Sequence, residues 1–246
     1  MKVSILTQFP EMFEPVLNSS ILGRAKDKGL VSFDVFNIRD YTKDKHNRTD
    51  DTPFGGGEGM VMMPQPAFDA LKAIKAEGKR VLYMSPRGRM LDKDLAIELA
   101  KEDEIVVLCG HYEGIDQRII DAFNMEEVSI GDYILTGGEL PCMVLIDTVS
   151  RLIPGVLSSM EGAMGESGYS GLLEYDQYTK PREYEGLNVP EVLFNGDHKK
   201  IHLWQFENSL RLTKEKRPDL FEAYLKREKE LSKEEKKILD LVLSDE

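Results

Sequence analysis

Apolar residues in the first two-thirds of the chain fall into short runs that alternate with helical spacings. Residues 3–6, 32–36, 80–84, 105–109 and 127–130 are brief apolar stretches bounded by polar or glycine-rich segments, and they predict strands. Between them, residues 20–28, 66–76, 92–101, 115–123 and 141–152 carry apolar side chains at i, i+3 and i+4, as a helix with one buried face does. Gly29 and Gly78 follow the first two of these helices, where a stop is expected. Strand–helix alternation of this kind predicts an α/β fold with a mostly parallel sheet covered on both faces.

The pattern changes after Pro154-Gly155. Residues 158–171 (SSMEGAMGESGYSG) are small, polar and glycine-rich, the composition of a flexible linker. Residues 178–190 look extended and are punctuated by prolines. Helices are then expected at 197–214, 219–231 and 233–243, the last opened by Ser232 with Glu235 three positions on, a capping box. The expected organisation is an α/β domain at 1–157, a linker at 158–171 and a small, mainly helical domain at 172–246.

Three predicted strands end in glycine or serine turns: SPRGR at 85–89, LCGHYEGIDQ at 108–117 and SIGDYILTGGELP at 129–141. Without a Cβ, glycine lets backbone approach a ligand closely, and the carboxyl edge of a parallel sheet is where open α/β folds bind ligands. The three loops therefore predict one small-molecule pocket. Residues 52–63 (TPFGGGEGMVMM) lack the Gly-Lys-Ser/Thr of a nucleotide-binding phosphate loop, and no GxGxxG, HExxH or GxSxG motif occurs.

Composition adds bounds. The 246 residues are 41% hydrophobic and 31% charged, with no apolar run of membrane-spanning length and no signal-peptide pattern. Cys109 and Cys142, both in apolar contexts, suit a reducing compartment, so a cytoplasmic protein with no membrane association is expected. A net charge of −12 weighs against nucleic-acid binding. Yet Arg24, Lys26, Lys28, Arg39, Lys43, Lys45 and Arg48 crowd one region, and His198, Lys199, Lys200, His202, Arg211, Lys214, Lys216 and Arg217 another.

The motifs carry a more specific message. FPEMF at 9–13, RDYT at 39–42, DDTPFGGGEGM, SPRGR, CGHYEGID, SIGDYILTGGELP, SRLIPGVL at 150–157 and GLLEYDQYTKP at 171–181 stand in one order along nearly the whole chain. In this the chain resembles the bacterial tRNA (guanine-N1-)-methyltransferase family, of the SPOUT class. The resemblance implies a trefoil knot in the first domain, a homodimer with shared active sites, and S-adenosyl-L-methionine as methyl donor. It implies methylation of N1 of the guanosine at position 37, reached in the anticodon stem-loop of tRNA, with the helical domain (Trp204 and Arg211 among its candidates) holding that branch. By motif, the cofactor-binding positions are Ser85, Gly110, Tyr112, Ile130, Gly131, Tyr133, Leu135, Gly137, Gly138 and Pro141. Packing in the core is the plain alternative for Tyr133 and Leu135.

The resemblance also assigns chemistry. N1 of guanine carries a proton, so attack on a methyl needs a base near N1 and a cation or donor near O6. The family's arginine falls on Arg151, whose guanidinium is a fixed cationic fork. Its linker Asp-Ser pair falls on Glu166 and Ser167, so the carboxylate is kept with one added methylene. Glu113 matches a carboxylate tied to Mg²⁺ dependence. His111 stands where relatives commonly carry arginine, and Glu58 where they carry proline or alanine. Two rival functions are a related SPOUT RNA methyltransferase with a different target and a catalytically impaired tRNA-binding protein.

Overall fold

The computed structural model describes residues 1–158, 170–227 and 230–245. The chain divides into two compact units, Met1–Met160 and Glu161–Glu246. The first is built on a sheet of five parallel strands: β1 (Lys2–Thr7), β2 (Ser32–Asn37), β5 (Arg80–Met90), β6 (Glu104–Leu108) and β7 (Glu126–Ser129). Their spatial order is β2-β1-β6-β5-β7, so β6 enters between two strands that precede it in sequence. It pairs with β1 through Ile5↔Val107 and with β5 through Leu82↔Val107.

Alternate residues of the central strands serve two cores. Val3, Ile5, Leu82, Met84, Ile105 and Val107 face one layer, which contains side chains of α1 (Glu14–Leu17), α2 (Ser20–Asp27), α4 (Lys93–Leu99) and α6 (Glu139–Ser150). Leu6, Val81, Tyr83, Val106 and Leu108 face the other, with α3 (Pro64–Ala73) and α5 (Gln117–Ala122). Burial on both faces explains why these strands read as continuous apolar runs instead of alternating ones. The mixed α/β architecture with a central parallel sheet agrees with the sequence reading.

One segment corrects it. SPRGR is not a strand-exit turn, because β5 continues through it to Met90. The register along β7 slips there: both Met84 and Arg89 stand opposite Val128. The extra residues form a bulge, and Gly88 makes it possible, since a Cβ at that position would lie 2.2–2.4 Å from the backbone of Glu127 and Val128. A short antiparallel pair, β3 (Asp50–Asp51) with β4 (Val61–Met62), carries the glycine loop between its strands and had no signal in the hydrophobic pattern.

In the second unit, α7 (His198–Lys216), α8 (Pro218–Leu225) and α9 (Lys233–Ser244) surround a small core of Leu172, Leu210, Phe221, Tyr224 and Val242. The expected helix at 219–231 stops at Leu225, where the sequence turns into a charged run with no apolar face to bury. A hairpin of β8 (Glu183–Tyr184) and β9 (Leu187–Asn188) occupies part of the segment expected to be extended, turning through Glu185 and Gly186 at positive φ.

Candidate active site

The loops that leave β6 and β7, together with the bulge in β5, enclose a cavity of about 290 Å³. These three strands are neighbours in the sheet, so their carboxyl ends open onto one place. Ser85, Gly110, Tyr112, Ile130, Gly131, Tyr133, Leu135, Gly137, Gly138 and Pro141 all line it. Tyr133 and Leu135 are half exposed there and are not part of the core.

The walls are held mainly by backbone. The Gly138 N–H donates to the Gly110 carbonyl at 2.8 Å, tying the loop before α6 to the loop after β6. Tyr112 sits in the left-handed region at φ 62°, and its hydroxyl donates to Gln8 Oε1 at 3.1 Å. Ser85 Oγ accepts from the Arg87 N–H at 3.3 Å, while the Tyr133 hydroxyl donates to the Ile130 carbonyl. Such a lining offers apolar contact and uncharged hydrogen-bonding groups, which suits a flat heterocycle more than a polyphosphate.

Tyr83, Thr136 and Ile134 also line the cavity and were missed in the sequence. Tyr83 looked like an ordinary strand residue; the strand's alternation could have placed it on the same face as Leu108 but not at a cavity. Burial, with the nearby Glu127 carboxylate, pushes its hydroxyl up to about 12, so it stays a neutral O–H group. The glycine loop at 52–63 is likewise more than a surface turn. Met62 N–H donates to the Gly114 carbonyl and Asp116 N–H to the Met62 carbonyl, which docks this hairpin onto the cavity wall.

Glu113 lies on that wall, exposed, with its side chain over Gly59. No group of three His, Cys, Asp or Glu side chains suited to a metal ion occurs among the described residues. Arg151 is not at the cavity. It caps the carboxyl end of α6, whose amino end holds the cavity residues Gly138 and Pro141. Twelve residues of helix separate the two by about 18 Å along the axis. Glu166 and Ser167 lie outside the described residues.

The family model for "tRNA (Guanine-1)-methyltransferase TrmD" matches residues 1–223. The chain belongs to this family. Among its relatives, the tRNA (guanine-N(1)-)-methyltransferase of Ruminiclostridium cellulolyticum is 57% identical over 225 residues, covering 90% of this chain and 96% of the relative. The proteins of the same name from Clostridium perfringens strain 13 and Clostridium acetobutylicum are 52% and 48% identical, covering 97% and 98% of this chain. Nearly the full length of each relative is matched, so the TrmD framework extends through both units of the chain. No helix among the described residues is long and apolar enough to cross a membrane.

Proposed function

We propose that the protein methylates N1 of the tRNA guanosine at position 37, using S-adenosyl-L-methionine held in the cavity at the ends of β5, β6 and β7. The observation that carries this reading is the convergence of all ten loop residues on one cavity, lined largely by backbone and apolar groups, in a TrmD-family chain. The cofactor supplies an electrophilic methyl group on a sulfonium centre. Gly110, Gly131, Gly137 and Gly138 would hold the cofactor through backbone groups, and Leu135 and Pro141 would offer it apolar surface.

On this reading Glu166 accepts the N1 proton and Arg151 stabilises the charge that develops at O6. The two groups are drawn to one base across a homodimer. Leu140 and Val144 are 50% and 45% exposed on α6, and Arg151 follows on the same helical face at i+11. Ile134, 79% exposed, extends this apolar surface beside the cavity. A second copy covering it would bring each Arg151 toward the other protomer's cavity, which the 18 Å separation within one chain otherwise prevents. A trefoil knot, in which the 129–141 loop is threaded, belongs to the same reading.

For Mg²⁺, Glu113 is the one acid among the described residues that line the cavity, too few donors to hold the ion without oxygens from the substrate. In the second unit, Trp204 packs between Tyr175 and Tyr178, at ring distances of 6.4 and 6.3 Å, as a surface for the anticodon branch. Arg211 and Lys199 are engaged with Glu207, Asp245 and Glu234, exposed ion pairs that tRNA phosphates can displace. A tRNA substrate and two buried free thiols fit a cytoplasmic location.

The test is transfer of labelled methyl to a tRNA transcript with guanosine at position 37, with the product base mapped, for wild type and Glu166→Gln. N1-methylguanosine at that position, lost in the variant by a factor of about 100 or more, is the expected result. Methylation of another nucleotide would move the assignment to a related RNA methyltransferase. Cofactor binding with no transfer to any tRNA would leave a binding protein.

A further inference from the structure

The buried carboxylate of Glu139 has no part in the chemistry above, yet it stands against the cavity wall. It opens α6 and is 1% exposed. The amino end of a helix favours a negative group, but burying one is costly unless its oxygens are hydrogen-bonded. Two partners meet that need. Thr7, at the end of β1, donates its hydroxyl to Oε1 at 2.6 Å. A carboxylate can only accept, so the hydroxyl is the donor here, while its oxygen accepts from the Phe9 N–H at 2.9 Å. His111 Nε2 lies 2.7 Å from Oε2. With Glu139 as a carboxylate, His111 is the donor, in a short charge-assisted contact.

The His111 ring is fixed on its other sides as well. It packs on Phe9 at 4.7 Å between centroids. Its backbone bridges Gly137. A Cβ on Gly137 would lie 2.3 Å from Nε2 and 2.5 Å from Glu139 Oε2, so glycine there leaves room for the imidazole–carboxylate pair. His111, Gly137 and Gly138 all line the cavity. Nε2 is thus directed at Glu139 and not held out toward a nucleic-acid phosphate.

We propose that His111 is a positioning residue of the cofactor pocket: by holding Glu139 against Thr7 it locks the 137–138 wall to the β1 and β6 exits. This rests on the cofactor-site reading above. It assigns to this histidine a role that acts through a buried acid, separate from any contact it makes with the ligand.

The test is calorimetric titration of the full-length protein with S-adenosyl-L-methionine, for wild type, His111→Gln, His111→Asn, His111→Ala, Glu139→Gln and the His111→Ala/Glu139→Gln double variant. Loss of the donor in His111→Ala is expected to weaken binding by about tenfold. His111→Gln keeps an N–H donor near the position of Nε2 and should bind within about threefold of wild type. His111→Asn is too short to reach the carboxylate and should weaken binding as the alanine does; these two carry the comparison where His111→Ala does not fold. In the double variant the unpaired charge is gone, so its loss should be smaller than the two single losses combined. Equal affinities for the Gln and Asn variants, or losses that combine in full, would overturn the inference while leaving the cofactor site intact. Wild-type protein that takes no cofactor would overturn the site assignment and this inference together.

Discussion

Arg151 and the cavity residues stand at opposite ends of one helix, so the roles proposed for them can be tested one side chain at a time. Replacing Arg151 with alanine is expected to leave cofactor affinity within about twofold of wild type while lowering turnover by two orders of magnitude or so, the usual effect of removing a group that stabilises developing charge. Equilibrium titration and single-turnover transfer, run side by side, check both parts; a variant that lost cofactor binding would place Arg151 in the wrong role. The loops at 108–117 and 129–141 were legible in the sequence because strand-exit glycines are a local signal, each carried within ten or so residues, whereas the individual cavity residues came from the resemblance to the family. Thr7 and Glu139 were not legible, because their contact spans 132 residues and neither residue type announces a partner. Tyr83 escaped for a related reason: its neighbours along the strand say that it is buried, and only the sheet order says that it is buried beside a cavity.

Among the elements, α9 offers the clearest energetic test. Ser232 Oγ accepts from the Glu235 N–H at 3.2 Å, and Glu235 Oε2 accepts from the Ser232 N–H at 2.7 Å. The helix contributes Val242 to the second unit's core. Ser232→Ala should destabilise that unit by about 1 kcal/mol, followed through Trp204, the sole tryptophan and a resident of the same unit. The bonds to Ser232, side chain first and backbone second, hold the Glu235 carboxyl below its ordinary value. A carboxyl lowered in the folded state contributes stability above its unfolded value and loses it as the pH falls through the folded one. The difference between wild type and Ser232→Ala should therefore be full at neutral pH and shrink in acid; a difference that stayed constant to pH 2 or so would exclude the interaction of the Ser232 side chain with the Glu235 carboxylate as its source, since alanine keeps the backbone N–H. This box was readable from four consecutive residues. The bulge in β5 was not, because SPRGR has the composition of a turn and only pairing with β7 shows that the strand resumes.

For the whole molecule, the exposed apolar face of α6 and Ile134 predict that activity depends on self-association. Specific activity should fall when the protein is diluted below the dimer dissociation constant, as measured by sedimentation, and an aspartate at Val144 should produce a monomer with at most about a hundredth of the activity. An active monomer would mean that one chain completes its own site. The two-unit division follows the change in pattern near Pro154, whereas the strand order could not be read from the sequence, since periodicity says that a strand is buried and not which strands flank it. That order also bears on how the chain reaches its folded state. β6 is hydrogen-bonded to β1 and to β5, both made earlier in translation, so a nascent chain that has emerged only as far as β5 holds two unsatisfied sheet edges with a gap between them. Closing the gap requires contacts about a hundred residues apart, the kind that forms late. The cavity walls at 110–114 and 129–138 lie beyond that last inserted strand, and ligand binding thereby becomes a report that the sheet has closed.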